Sequence, residues 1–223
     1  PLNDGIQTGR LRGVAGVVGC NNPKITHDEA HVAMVKELIK NDVLVLQTGC
    51  SAIACGKAGL LSPEAAAKYA GKGIQEICAA VGIPPVLHIG SCVDNTRILT
   101  ACAELVKEGG LGDSFDKLPV AGAAPEWMSE KAIAIGMYFI GSGISVVIGQ
   151  PLPVMGSDVM VDLLTKGMEE QFGATWSFEL DPIKAAHLMI DHIDRKRADL
   201  SLPPPMFEVP YEPKTAEAVG SES

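Results

Sequence analysis

The 223-residue sequence has few aromatic side chains and no long apolar run, and both shortages exclude classes of protein. Aromatic residues make up 4% of the chain, which leaves little for a surface that stacks nucleobases. Apolar runs such as residues 43–46 have the length of a strand, and none approaches the ~20 residues that cross a bilayer. A net charge of −9 disfavours binding to nucleic-acid phosphates and to anionic membranes. We therefore expect no nucleic-acid partner and no transmembrane segment.

Several common catalytic motifs are also missing. Gly56-Lys57 lacks the flanking glycine and hydroxyl residue of a phosphate-binding P-loop. No Gly-x-Gly-x-x-Gly fingerprint follows the first predicted strand, and the sequence contains neither a Gly-x-Ser-x-Gly elbow nor a Cys-x-x-Cys pair. His27 and His31 are spaced to share a helix face, but the glutamate of a zinc-protease motif is absent, so a solvated face is expected. His88 is expected in the core.

The sequence contains six cysteines, and we expect no secretory segment. This combination predicts reduced thiols, which serve as buried apolar residues, metal ligands or nucleophiles. We expect a cytoplasmic protein, or one held at the inner membrane through its partners. Because the sequence begins at Pro1, we also expect an excerpt or a processed product of a longer chain.

Short apolar segments alternate with amphipathic segments along most of the chain. The apolar segments are rich in β-branched residues and nearly continuous, which is typical of strands buried on both faces of a parallel sheet. The alternation predicts an α/β fold: a doubly wound, mostly parallel, Rossmann-like sheet with helices on both faces. The predicted strands are residues 13–19, 43–48, 85–89, 118–123, 145–148 and 175–179; the predicted helices are residues 28–40, 63–80, 94–107, 128–140, 158–170 and 182–196.

The character of the sequence changes at both ends of this pattern. Residues 1–12 are expected to be a linker from an upstream region, and residues 13–202 form the predicted domain. Residues 203–223 are rich in proline and glutamate, which predicts an extended or disordered acidic tail.

Three of the cysteines have equivalent positions in the predicted fold. Cys20, Cys50 and Cys92 each follow a strand, with a glycine one or two residues earlier. In a parallel sheet such loops meet at one edge, where ligands bind, and nearby helix N-termini stabilise thiolates. The three thiols are therefore candidate metal ligands, although small buried apolar residues remain an alternative. The other cysteines, Cys55, Cys78 and Cys102, are interpreted as structural.

Lys131 is predicted in the first turn of the helix that follows the fourth strand, at the same edge as the three cysteines. A cation is electrostatically disfavoured at a helix N-terminus, which makes this lysine a candidate functional residue. The alternative is an exposed lysine paired with Glu126 or Glu130.

Four segments together resemble the nickel-containing anaerobic carbon monoxide dehydrogenases. They are Gly-Cys-Asn-Asn at 19–22, Thr-Gly-Cys at 48–50, Pro-Pro-Val-Leu-His-Ile-Gly-Ser-Cys-Val-Asp-Asn at 84–95 and Ser-Glu-Lys-Ala at 129–132. The resemblance runs in order from about residue 13 to residue 200. The hybrid-cluster protein, a hydroxylamine reductase, is a second relative with similar strand-end cysteines, but the residues after Cys20 and around Cys92 are more similar to the nickel enzymes.

This resemblance implies a C-terminal Rossmann-like, cluster-binding domain of a catalytic subunit. The family reversibly oxidises CO with water to CO2 at a nickel–4Fe–4S cluster, called the C-cluster, and passes two electrons to an acceptor such as ferredoxin. By resemblance, Cys20 and Cys50 bind iron, Cys92 binds nickel, and Lys131 assists catalysis as a hydrogen-bond donor or acid. The resemblance places the remaining ligands and further 4Fe–4S clusters in upstream domains of a homodimer, so this chain alone is expected to be inactive.

Two other classes of protein remain open at this stage. One is a nucleotide-binding α/β domain without metal, and the other is a scaffold domain with buried cysteines. Both predict thiols that do not act together.

Overall fold

The computed structural model describes residues 1–207, so most of the predicted tail lies outside the described residues. Six strands form one sheet in which every pair of neighbours is parallel. The strands are β1 (Gly13–Val17), β2 (Val43–Gln47), β3 (Val86–His88), β4 (Val120–Ala124), β5 (Val146–Ile148) and β6 (Trp176–Phe178). Their order is β3-β2-β1-β4-β5-β6. This is the doubly wound order, and the predicted α/β fold is confirmed.

The α-helices of the described residues connect these strands. They are α1 (Leu2–Gln7), α2 (Glu29–Lys40), α3 (Gly49–Lys57), α4 (Glu64–Tyr69), α5 (Lys72–Val81), α6 (Thr96–Glu108), α7 (Glu130–Gly141), α8 (Asp158–Asp162), α9 (Met168–Phe172) and α10 (Pro182–Asp199). None of the helices in residues 1–207 combines the length and apolar character that crossing a membrane requires.

Helices cover both faces of the sheet because successive strand residues point to opposite sides. Gly122 and Val146 line small apolar cavities together with residues of α6 and α7. Val147, one residue after Val146 on β5, instead lines a cavity together with Leu188 of α10. Helix α2 packs against α10, so these two helices share that second face. The strands are buried throughout β1, β2, β4 and β5, as their near-continuous apolar sequences predict.

The observed helices differ from the predicted ones at three places. Helix α3 was missed because its sequence, Gly-Cys-Ser-Ala-Ile-Ala-Cys-Gly-Lys, has small residues and little amphipathic pattern. The predicted helix 63–80 divides into α4 and α5 at Gly71, whose N–H donates to the carbonyl of Ile39 instead of continuing a helix. The predicted helix 158–170 contains a π-helical turn, Leu163–Gly167, between α8 and α9.

Residues 1–12, predicted as a linker, pack against the domain. Ile6 and Leu11 are fully buried in the core, and α1 lies within this segment. The buried guanidinium of Arg197, on α10, donates hydrogen bonds to the carbonyls of Ile6 and Leu11, at 2.8 and 3.2 Å. The segment is therefore anchored by both apolar burial and hydrogen bonds. The division of the chain at residues 12 and 202 stays a prediction.

Candidate metal centre

The carboxyl ends of four neighbouring strands lie level with one another. Val17, Gln47 and His88 are partners in the registers that join β1, β2 and β3, and Val17 also pairs with Ala123 of β4. Neighbouring strands are ~4.8 Å apart, so the ends of β3, β2 and β1 span roughly 10 Å. The loops that leave these ends all start from the carboxyl-terminal edge of the sheet, which is the edge meant below.

The predicted site residues follow these strand ends in the same spatial order. Cys92 comes four residues after His88, Cys50 three after Gln47, and Cys20 three after Val17. Lys131 lies on the next connection, between β4 and α7. The structure thus brings the backbones that carry all four predicted residues to one edge.

The loops that carry Cys50 and Cys92 are in direct contact. Gly49 donates its N–H to the carbonyl of Gly90 at 3.1 Å, and a Cβ on Gly49 would lie 3.3 Å from the Cβ of Cys92. Gly49 also has a φ of +59°, a conformation that favours glycine. The side chain of Asn95 accepts a hydrogen bond from the Thr48 hydroxyl and donates one to the carbonyl of Cys92. These contacts hold the two cysteine loops together.

A short turn presents Cys92 to solvent. The Ser91 N–H and hydroxyl both donate to one carboxylate oxygen of Asp94, at 2.8 and 2.9 Å. These bonds, the N–H bond first, hold the pKa of the Asp94 carboxyl below its ordinary value. Cys92 lies between the two residues and is exposed. The turn therefore orders the backbone around a thiol that is open to a ligand.

Hydrogen bonds to main-chain atoms of Cys20 fix the position of its loop. Its N–H donates to the carbonyl of Glu126 at 2.9 Å, and its carbonyl lies 2.7 Å from Nε2 of His31. A carbonyl only accepts, so Nε2 carries the proton in this hydrogen bond. Gly19, at φ +126°, packs against the carbonyl of Glu126 and leaves no room for a side chain.

Two histidines have surroundings that differ from the predicted ones. His31 was expected on a solvated face but is fully buried, and burial is the main cause that lowers its pKa. His27, four residues earlier, is exposed as expected. His88 was expected in the core but is exposed, because β3 is an edge strand. Its Nδ1 accepts a hydrogen bond from the N–H of Gly90.

The six cysteines separate into two groups by burial, and all six are free thiols. Cys50 and Cys92 are exposed and Cys20 is half-buried. Burial raises the pKa of the other three thiols: to about 12 for Cys55, about 11 for Cys78 and about 12 for Cys102. A thiol with such a pKa stays protonated at neutral pH and binds metal poorly. Cys55, Cys78 and Cys102 are thus buried, which agrees with their interpretation as structural residues.

Lys131 is the second residue of α7, and its side chain is exposed. Within residues 1–207 no carboxylate oxygen lies within ion-pair distance of its ammonium group, so neither suggested pairing occurs there. Glu126 is instead fully buried, and its carboxylate accepts the N–H of Asn22 at 3.2 Å. Glu130 is exposed. The lysine is left available to a ligand at the sheet edge.

The donor set fits a metal–sulfur cluster better than a single ion. In the described part of the chain, no three His, Cys, Asp or Glu side chains are grouped closely enough to hold one metal ion. In a cluster each thiolate can bind a different metal, so ligands on separate loops are compatible with a cluster. Free thiols on three neighbouring loops provide the soft ligands that iron–sulfur units and nickel prefer. Three thiols are fewer than the four that usually hold a 4Fe–4S cluster, so a cluster at this edge would need further donors.

Comparison with known families gives one match over most of the chain. The model of the Prismane/CO dehydrogenase family matches residues 3–183. Carbon monoxide dehydrogenase 1 of Methanosarcina mazei is 55% identical over 202 residues, which are 91% of this chain and 32% of the relative. Carbon monoxide dehydrogenase 1 of Carboxydothermus hydrogenoformans is 40% identical over 210 residues, which are 91% of this chain and 33% of the relative. The chain thus spans about a third of the length of these relatives.

Solved structures give the same result. A nickel-free carbon monoxide dehydrogenase from Thermococcus sp. AM4 superposes with a TM-score of 0.87 and 48% identity, covering 91% of this chain and 32% of its own. An acetyl-CoA synthase/carbon monoxide dehydrogenase described with NiZn[Fe4S4] and NiNi[Fe4S4] clusters superposes with a TM-score of 0.84 and 38% identity. The match covers 90% of this chain and 31% of that chain.

Proposed function

Because the chain belongs to the Prismane/CO dehydrogenase family, we propose that it forms part of an oxidoreductase that reversibly oxidises CO with water to CO2. The reaction releases two protons and two electrons. The observation that carries this proposal is the set of free cysteines on three adjacent strand ends, beside the loop of Lys131. These thiols supply soft metal ligands, and the lysine supplies a positive charge beside them.

The three strand-end cysteines are the proposed ligands of a nickel–4Fe–4S cluster. Cys20 and Cys50 bind iron, and Cys92, at the exposed tip of its turn, binds nickel. When bound, the cluster supplies the redox chemistry and a Lewis-acidic site for CO. The close contact between Gly49 and Cys92 supports the proposal that both loops bind one cluster, because neither loop can move far without the other.

Lys131 is the proposed catalytic residue. Its exposed ammonium group donates a hydrogen bond to an oxygen of the reacting carbon oxide and thereby stabilises the negative charge that develops there. The same group can hold or release a proton during the reaction. The absence of an ion pair within the described residues supports this role, because a carboxylate partner would compete with the substrate.

The rest of the enzyme is proposed to lie outside this chain. Relatives three times as long leave room for upstream domains of the same subunit, which supply the remaining ligands and the 4Fe–4S clusters that carry electrons away. A homodimer, a ferredoxin-like acceptor and a cytoplasmic location complete the proposal.

The alternative functions have weaker support. The relatives named above are carbon monoxide dehydrogenases, which favours the nickel enzyme over the hybrid-cluster protein. A scaffold role for the strand-end cysteines requires buried thiols, and Cys50 and Cys92 are exposed.

Metal analysis of cysteine variants tests the proposal. In protein that includes the upstream domains and is purified without oxygen, we expect Cys92→Ala to lose CO oxidation and most nickel while retaining most iron. Cys20→Ala should lose iron and nickel together, because iron forms the framework of the cluster. Cys78→Ala, at a buried cysteine away from the edge, is the control and should keep both metals. Wild-type protein without nickel or iron, or equal metal loss in all three variants, would contradict the proposal.

A further inference from the structure

Glu126 connects the loop of Cys20 to the loop of Lys131. It lies between β4 and α7, five residues before Lys131, and is fully buried. Its main-chain carbonyl accepts the N–H of Cys20 at 2.9 Å, and its carboxylate accepts the N–H of Asn22 at 3.2 Å. One residue therefore holds the Cys20 loop at two points two residues apart.

Hydrogen bonds from Asn22 extend this connection to a third loop. Its side-chain amide donates to the carbonyl of Trp127 at 3.3 Å and to the side chain of Gln150 at 3.5 Å. The indole N–H of Trp127 donates to the main-chain carbonyl of Gln150 at 3.2 Å. The loops that follow β1, β4 and β5 are thereby joined.

Core stability alone is a poor explanation for a carboxylate at this position. A buried carboxylate loses its hydration, and this loss is unfavourable unless hydrogen bonds or opposite charges replace the water. Oε2 of Glu126 accepts the Asn22 N–H, but Oε1 is buried with no hydrogen-bond partner in the described part of the chain. The unfavourable burial is explained if the hydrogen bond to Asn22 performs a task at the edge of the sheet.

We propose that Glu126 is a positioning residue, whose side-chain hydrogen bond to the Asn22 N–H sets the place of Cys20 relative to Lys131. Its effect on turnover rests on the proposed function, whereas its effect on the Cys20 loop does not. The proposal depends on the length of the side chain. An acceptor oxygen has to lie within hydrogen-bond distance of the Asn22 N–H while the main-chain carbonyl of residue 126 stays hydrogen-bonded to Cys20.

Two conservative substitutions separate reach from charge. Glu126→Gln keeps the length and an acceptor oxygen but removes the charge. Glu126→Asp keeps the charge but is shorter by one carbon–carbon bond, ~1.5 Å, and loses contact with the Asn22 N–H. Glu130→Gln, at the exposed carboxylate in the same region, is the matched control.

The first measurement is the alkylation rate of Cys20 in protein stripped of metal, followed by mass spectrometry of the Cys20 peptide. We expect Glu126→Asp to raise this rate roughly tenfold, because loss of the hydrogen bond to the buried Asn22 N–H frees the loop. Rates at Cys50 and Cys92 serve as internal references and should not change. Glu126→Gln and Glu130→Gln should alkylate Cys20 at the wild-type rate.

The second measurement uses the metal-loaded protein. We expect Glu126→Asp to lower kcat roughly tenfold, to leave KM for CO unchanged and to shift the electron paramagnetic resonance of the reduced protein, while Glu126→Gln resembles wild type in all three. The positioning role is overturned if Glu126→Gln raises the alkylation rate of Cys20, or if Glu126→Asp leaves it unchanged. This holds whatever the values of kcat and KM. If the alkylation results are as expected but protein that includes the upstream domains neither binds metal nor oxidises CO, the positioning role is upheld and the proposed function is rejected.

Discussion

Lys131 carries a positive charge at the positive end of a helix dipole, in the first turn of α7. Glu130 lies in the same turn, but no carboxylate within residues 1–207 forms an ion pair with the Lys131 ammonium. Placement against the local field is typical of a residue that acts on a ligand. At the residue scale, Lys131 is thus the strongest catalytic candidate of the chain.

Removing the Lys131 ammonium should affect turnover without affecting metal. We expect Lys131→Ala to lower CO oxidation by roughly 10²-fold or more, the range for losing a well-placed electrostatic or acid–base group. Nickel and iron content should match wild type. Lys184→Ala is a close control, because Lys184 is an exposed lysine in the first turn of α10, after β6. Near-normal turnover of Lys131→Ala with full metal content would return this lysine to a surface role.

The sequence predicted the positions of Cys20, Cys50 and Cys92 because strand ends are visible in hydrophobic patterns. It could not predict the burial of His31 or Glu126. Glu126 contacts Asn22, 104 positions earlier in the chain, and a single sequence carries no signal for such a partner. A charged residue within the apolar Ala-Ala-Pro-Glu-Trp-Met stretch was the available clue.

At the scale of secondary-structure elements, Asp42 joins α2, β2 and α5. It lies at φ +59° between α2 and β2, is buried, and accepts the N–H of Ile74 in α5 at 2.9 Å. Burial raises the pKa of the Asp42 carboxyl to about 6, although hydrogen bonds and the nearby Arg12 act in the opposite direction. The folded state therefore binds a proton here that the unfolded state has already released.

This raised pKa predicts a pH dependence of stability with a defined sign. Between the ordinary pKa of 3.8 and about 6, the folded state holds more protons than the unfolded state, so the free energy of unfolding falls as pH rises. Above about pH 6 this contribution is constant. We expect Asp42→Asn to remove this fall, in urea unfolding measured at intervals across that range.

Other titrating groups cancel in the difference between wild type and the Asp42 variant. Asp158→Asn is the control, because Asp158 is an exposed aspartate at the start of α8. Identical pH profiles for wild type and Asp42→Asn would show that Asp42 titrates normally in the folded chain.

The helices were harder to predict than the strands. Each strand was placed within two residues of its observed ends, because burial on both faces leaves a continuous apolar run. Helix α3 lacks an amphipathic pattern, and its start depends on a tertiary contact between Gly49 and Gly90. The break between α4 and α5 depends on the contact of Gly71 with Ile39. Such contacts are not encoded in local periodicity.

At the scale of the whole molecule, one continuous apolar core supports the sheet edge that carries the candidate site. The sheet and its two helical layers bury a continuous set of apolar residues, so we expect the 223-residue chain to fold when produced alone. Its sheet edge offers three thiols and a lysine, and about two thirds of the length of its relatives has no counterpart here.

The isolated chain should therefore be folded and inactive. We expect an α/β circular dichroism spectrum, little or no bound nickel, and no reduction of a viologen dye under CO. The same assay on protein that includes the upstream domains is the positive control. CO-dependent dye reduction by the 223-residue chain alone would mean that its own residues complete the metal site.

The most direct test of the metal centre is the reactivity of all six cysteines before and after metal removal. In metal-loaded protein that includes the upstream domains, we expect Cys20, Cys50 and Cys92 to resist alkylation, because their thiolates are bound to metal. After chelation these three should become reactive together, while Cys55, Cys78 and Cys102 stay protected by the folded core. If chelation leaves the reactivity of Cys20, Cys50 and Cys92 unchanged, the strand-end cysteines do not hold a metal cluster.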